Sequence, residues 1–116
     1  MTRWARTRDD LVTTAYLRPL AEADLISRTR YYCAKAGDHL AERFFDAAIA
    51  AIRHIEQMPG RGSPHLAQLC DIPGLRVHRI TGFPCGWYYL VTDEHIDVVR
   101  LLADAQDIPA ALIATE

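Results

Sequence analysis

The residues of this chain that could do chemistry are mainly arginines. The 116-residue sequence holds 13 basic residues, and Lys35 is the one lysine among them. Guanidinium groups bind phosphate or carboxylate through paired hydrogen bonds, but they stay protonated and do not act as acids or bases at neutral pH. The composition therefore favours recognition of anions over acid–base catalysis by lysine.

Arg100 is the least expected of these arginines, because it interrupts the apolar segment HIDVVRLL. A buried guanidinium is costly unless it has a partner. Two interpretations are open, a structural ion pair and a functional contact. Arg76 and Arg79, in LRVHRIT, leave a similar choice between a solvated strand face and a function.

Charge and cysteine usage narrow the class of protein. The formal net charge is −2, which gives no general attraction to nucleic acid, and we expect no sequence-specific binding to it. The spacing of Cys70, His78 and Cys85 fits no zinc pattern, and we expect neither a metal nor a cofactor.

Three widely spaced cysteines are typical of reduced thiols in the cytoplasm. No apolar run approaches the ~20 residues that span a membrane.

The elements that must position these residues follow from the hydrophobic spacing and from the breaks at proline and glycine. We expect a polar N-terminal extension over residues 1–11 and one domain over residues 12–116. The predicted elements are a strand at 12–18, helices at 20–37 and 39–58, and strands at 75–81, 86–91 and 95–102. This order predicts an α+β fold, in which an α-helical hairpin covers one face of a sheet containing a three-stranded antiparallel meander. Pro109 is expected to start a short helical turn, and Asp38 to cap the second helix.

The second helix carries an apolar stripe at helical spacing. Its members include Leu40, Phe44, Ala48 and Ala51. The simplest interpretation is close packing in the core, and the alternative is a shallow groove for a partner helix. Tyr16 lies on the first strand, whose position at a sheet edge would invite pairing with another chain.

Several stretches of the chain, in this order, resemble the RelE/ParE toxins of type II toxin–antitoxin systems. They are YLRPLAEADL, PGLR, GFPCGWYYLV and IDVVRLLADAQDIPAAL. The resemblance covers residues 14–113 and implies the fold predicted above. It also implies one of two activities, ribosome-dependent cleavage of mRNA or inhibition of DNA gyrase without catalysis.

The chemistry that cleavage requires separates these two activities. Attack by a 2′-hydroxyl needs a base, cations that hold the phosphate, and an acid for the leaving oxygen. The nuclease branch is similar in fold but carries many lysines and arginines on its sheet. Here Lys35 lies at the end of a predicted helix, and Asp104 and Asp107 follow the last strand, where they would repel phosphate. The position at which the family commonly has a histidine is Ala103.

The favoured interpretation is therefore a ParE-like toxin, a gyrase inhibitor without catalysis of its own, in a hetero-oligomer with a ParD-like antitoxin. The resemblance implies the target-related candidates Arg76, Arg100, Asp107, Ile108 and Pro109. The candidates for antitoxin binding are the stripe residues Leu40, Phe44, Ala48 and Ala51, together with Tyr16. The alternatives are a RelE-like nuclease and a non-toxic module that only binds an antitoxin.

Overall fold

A computed structural model describes residues 13–67 and 70–113 of the chain, so the predicted extension at 1–11 lies outside the described residues. The elements are β1 Ala15–Leu17, α1 Pro19–Ala36, α2 Asp38–Gln57, β2 Arg76–Arg79, β3 Cys85–Val91, β4 Ile96–Ala103 and α3 Ile108–Ile113. A short 3-10 helix, Pro59–Arg61, follows α2. The predicted α+β class and the order of its elements are confirmed, with boundaries shifted by a few residues.

Proline and glycine punctuate the helical hairpin as the sequence predicted. Pro19 is the first residue of α1, where its missing N–H costs nothing. Gly37, at a φ of 90°, ends α1, and its N–H donates to the Cys33 carbonyl oxygen at 2.8 Å. The prediction that Asp38 caps α2 is wrong, because Asp38 is already helical and makes no capping hydrogen bond. Its carboxylate instead accepts a hydrogen bond from the Cys33 thiol. Its negative charge still interacts favourably with the positive end of the helix dipole.

The four strands form one sheet in the order β1-β4-β3-β2. The meander of β2, β3 and β4 is antiparallel, as predicted, and β1 joins it parallel to β4. The β3–β4 register shifts between Tyr88 and Tyr89: Tyr88 faces Arg100, whereas Tyr89 faces Val98. This bulge leaves Val99 as the extra residue of β4 and turns the side chains that follow it.

Both faces of the sheet are covered. The helical hairpin packs on one face around Phe44, Trp87 and Tyr89, each of them fully buried. Trp87 donates its indole N–H to the Ala48 carbonyl oxygen at 3.0 Å, which fixes α2 against β3. The second face is buried by α3 and by the connection between the 3-10 helix and β2. Its buried residues are Leu75, Tyr88, Val99, Leu102 and Leu112.

Across the part of the chain that the structure describes, none of the helices combines the length and the apolar character needed to cross a membrane.

Candidate functional site

Arg100 is held by a carboxylate and a carbonyl from two different elements. Its Nε and Nη2 atoms donate to Asp24 of α1, at 2.6 Å from Oδ2 and 2.9 Å from Oδ1. Its Nη1 atom donates to the Ala111 carbonyl oxygen of α3 at 3.1 Å. Hydrogen bonding to Asp24 raises the pKa of the Arg100 guanidinium above its usual value, so the side chain stays charged at any physiological pH.

Asp24 also closes the exposed edge of β4. β1 pairs with β4 only as far as Val98, and beyond that point the edge of β4 needs another acceptor. The Oδ2 atom of Asp24 accepts the Leu101 N–H at 3.0 Å, which replaces the missing strand. Arg100 therefore joins α1, β4 and α3 in one structural contact. The ion-pair interpretation of this residue agrees with the geometry, and any further role in function stays a prediction.

The C-terminal candidates begin a short helix. Asp107 precedes α3, and its Oδ1 atom accepts the Ala110 N–H at 3.2 Å as a helix cap. Pro109 is the second residue of α3, and Ile108 packs beside the buried Leu112 on the second face of the sheet. Ile113 projects away from the fold and is 75% exposed. The stretch after β4 is thus an ordered, capped turn with an apolar tip.

Arg76 supports the chain that follows α2. Its Nη1 atom donates to the Gly62 carbonyl oxygen at 2.6 Å. Beside this contact the buried Tyr89 hydroxyl donates to the Pro59 carbonyl oxygen at 2.8 Å and accepts the Gly62 N–H at 3.1 Å. A Cβ at position 62 would lie 2.8 Å from the Cζ atom of Tyr89, so any larger residue there requires the buried Tyr89 ring to shift. Arg76 thus has a structural contact, and its predicted functional role stays a prediction.

The remaining candidates are Arg79, Asp104, Lys35 and Cys85, of which Arg79 and Asp104 lie near Cys85. Arg79 pairs with Asp104 through two hydrogen bonds, and this contact lowers the pKa of the Asp104 carboxyl. Lys35 lies in the last turn of α1, with its Nζ atom 5.7 Å from the centre of the Tyr31 ring. Burial raises the pKa of the Cys85 thiol to about 11, which keeps it protonated and unreactive. In the described ranges, no group of three or more metal-ligating side chains comes together.

The stripe predicted on α2 serves the chain's own core. Phe44, Ala48 and Ala51 are buried against the sheet, and Leu40 is half-buried. In the folded chain these three side chains are already covered by the chain's own core, and their role in antitoxin binding stays a prediction. The sequence pattern is the same whichever surface covers the stripe. The apolar residues that the hairpin does expose are Ile26, Tyr31 and Phe45, at 52%, 46% and 42%.

Tyr16 lies where the sequence placed it, at the edge of the sheet. Its side chain is 60% exposed, and its ring makes an edge-on contact with His95, with 5.4 Å between the ring centres. The backbone of this edge is partly engaged by α2. The Ala15 N–H donates to Oε2 of Glu56 at 2.8 Å, and the Thr13 N–H donates to the Glu56 carbonyl oxygen at 3.2 Å. A strand added here would have to replace these bonds.

The fold is similar to that of a solved chain titled "Chromosomal ParDE TA system from P. aeruginosa". The TM-score is 0.68, and the superposition covers 79% of this chain and 96% of that chain. The two sequences are only 18% identical, so this likeness concerns the fold alone. The fold class defined in this way is a four-stranded sheet covered by a helical hairpin.

The particular family follows from the sequence. A family model described as the ParE toxin of type II toxin–antitoxin system, parDE, matches residues 16–108. Because this match covers most of the chain, the chain belongs to the ParE toxin family. The resemblance stated from the sequence motifs is confirmed, and the branch is ParE. A comparison with curated proteins found no match.

Proposed function

We propose that this chain is a toxin that inhibits DNA gyrase in the cytoplasm and is neutralised by a ParD-like antitoxin. Family membership supports the toxin, and the use made of the arginines supports gyrase rather than RNA. The observation that carries the second step is the pairing of Arg100 with Asp24, reinforced by that of Arg79 with Asp104. Two of the cations on the strands are already neutralised by carboxylates of the same chain.

Cleavage of RNA would make different demands on these strands. A nuclease needs positive charge at the scissile phosphate and several kcal/mol of transition-state stabilisation from it. Here Asp104 stands beside Arg79 at the end of β4, and Lys35 lies at the far end of α1. Inhibition by binding needs only a complementary surface. The exposed tip of α3 supplies an apolar contact. Arg76, the first residue of the edge strand β2, supplies a charged one.

The antitoxin is expected to cover what the hairpin and β1 leave exposed. The accessible candidates for antitoxin contact are Tyr16 and Leu40, which the sequence predicted, and Ile26, Tyr31 and Phe45, which the structure exposes. A disordered acidic tail that folds on binding would suit these apolar residues and the arginines between them. Complex formation would give a hetero-oligomer.

The experiment expresses the chain alone and together with the product of the adjacent gene. We expect growth arrest in the first case and recovery in the second. With purified toxin, gyrase supercoiling should fall and cleaved DNA should accumulate. Primer extension on ribosome-bound mRNA should show no toxin-dependent cuts. Cuts in message with gyrase unaffected at the same dose would exchange the proposed target for the ribosome, and unimpaired growth with folded protein present would contradict an active toxin.

A further inference from the structure

A cavity at the C-terminal end of α2 is not explained by the contacts described so far. Its volume is about 420 Å³, and it is lined by His54, Gln57, Met58, Arg61 and His78. These residues come from α2, from the turn after it and from β2. The cavity thus lies between the helical hairpin and the edge of the sheet formed by β2.

The charge around this cavity has one sign. The imidazole rings of His54 and His78 lie 6.0 Å apart between centres and at 65° to each other, and Arg61 adds a permanent positive charge. None of the five lining residues is acidic. The acid closest in sequence, Glu56, uses its carboxylate on the Ala15 N–H.

The other neighbours of His78 add no negative charge. Trp87 faces it across the β2–β3 pair and is uncharged. Arg76, two residues away on the same strand, carries a further positive charge and donates to Gly62. Burial, and secondarily the proximity of His54, lower the pKa of His78 below its usual value. In the free chain, burial and the neighbouring imidazole therefore both disfavour a positive charge on His78.

We propose that this cavity binds a side-chain carboxylate in the tail of the antitoxin. The proposal rests on the ParD-like partner proposed above and names the contact that such a partner makes. Charge complementarity identifies the occupant, because Arg61 and two imidazoles can all donate to an anion. Met58 is 50% exposed, and its flexible thioether suits an apolar residue next to the acid. A cation would meet the repulsion of Arg61.

This contact couples antitoxin binding to protonation. A carboxylate beside two imidazoles favours their charged form, and linkage requires that protonation favours the carboxylate equally. The complex should therefore take up a proton and tighten as the pH falls from about 8 to about 6. For one proton the limit is about tenfold in affinity per pH unit. The toxin surface thus holds the antitoxin more tightly in a more acidic cell.

The experiment measures the dissociation constant of the toxin–antitoxin complex across this pH range, by calorimetry, for the full chain. We expect the wild-type affinity to rise several-fold on acidification, and His78→Gln and His54→Gln to flatten that rise. His39→Gln, on the exposed start of α2, is the matched control and should keep the wild-type slope. In NMR spectra, the imidazole of His78 should show a higher pKa in the complex than in the free chain. The resonances of His54 should move on binding, and those of His39 should not.

The outcomes separate this inference from the proposed function. A complex that forms with no change in the pKa of His78 overturns the carboxylate contact and leaves the antitoxin in place. If no complex forms, the partner proposal fails, and the free chain is titrated with N-acetyl-Glu-Leu-amide at millimolar concentration against its Gln-Leu counterpart. A rise in the pKa of His78 with the Glu peptide alone supports the cavity as a carboxylate site. Equal effects of both peptides, or a response to inorganic phosphate only, overturn it.

Discussion

Asp24 and Arg100 lie 76 positions apart in the sequence, and in the structure they form a two-point ion pair across the edge of β4. The pair is mostly buried, with side-chain exposures of 19% and 14%. Its third contact, to the Ala111 carbonyl oxygen, extends it to α3. The first helix and the C-terminal turn therefore depend on the same guanidinium for their position.

Substitution of Arg100 tests this relationship. Arg100→Met leaves Asp24 as a buried charge without its partner, and we expect a loss of about 3–5 kcal/mol in the free energy of unfolding. The double variant Asp24→Asn/Arg100→Met should recover part of this loss, because it removes the uncompensated charge. Urea unfolding measures both.

Arg79→Met is the matched control for that experiment. The Arg79–Asp104 pair also has two hydrogen bonds, but its side chains are 58% and 48% exposed. We expect a loss of about 0–1 kcal/mol. Equal losses for Arg79→Met and Arg100→Met would mean that burial does not decide the strength of these pairs.

The glycines after α2 give a second test. Gly62→Ala places a methyl group against the buried phenol of Tyr89, and we expect a loss of about 1–3 kcal/mol from overpacking. Gly60→Ala lies two residues away with no atom within 4 Å of its new Cβ, and it should change little. Thermal unfolding compares the two. A neutral Gly62→Ala would show that the Tyr89 ring is free to move aside.

The tip of α3 separates stability from activity. Ile113→Glu changes an exposed side chain and should leave the free energy of unfolding within about 0.5 kcal/mol of the wild type. If α3 contacts gyrase as proposed, the same variant should inhibit supercoiling at least several-fold less well. Leu112→Ala empties a buried site and should cost about 2–5 kcal/mol in stability. Full inhibition by folded Ile113→Glu protein would remove α3 from the target surface.

The stability of the free toxin should depend on His78. Folding lowers the pKa of His78, so at mildly acidic pH the unfolded chain binds a proton that the folded chain does not. Stability should therefore fall as the pH drops below about 6.5, the ordinary value for histidine, and the loss should stop once the folded form is protonated as well. Urea unfolding at several pH values should show a smaller decline for His78→Gln. An identical decline would assign the acid sensitivity to other groups.

Local patterns in the sequence predicted most of the fold, and the long-range contacts account for the rest. Pro19 and Gly37 themselves determine the two ends of α1, and short turns determine the antiparallel meander. The parallel position of β1 and the bulge at Val99 depend on packing between distant segments. The position of Asp24 among apolar residues of α1 indicates a carboxylate that faces the protein. No local pattern in the sequence, however, pairs it with Arg100.

The candidate site was less predictable for a related reason. An apolar stripe such as that of Phe44 and Ala48 looks the same whether its cover is the chain's own sheet or a partner. The cavity between α2 and β2 joins His54 and His78, which are separated by the whole connection that follows α2. From the sequence, His78 suggests only a metal ligand together with Cys70 and Cys85, because no local spacing brings the second imidazole beside it.

The place of β4 in the sheet has a consequence for biosynthesis. β4 lies between β1 and β3, yet it is the last strand along the part of the chain that the structure describes. The ribosome therefore synthesises β1 and the helical hairpin before β4, the strand with which β1 pairs. Long-range pairing of this kind forms slowly and only once both strands are available. We expect translation that stops before Ile96 to yield a chain that cannot form this sheet, rather than a weaker toxin.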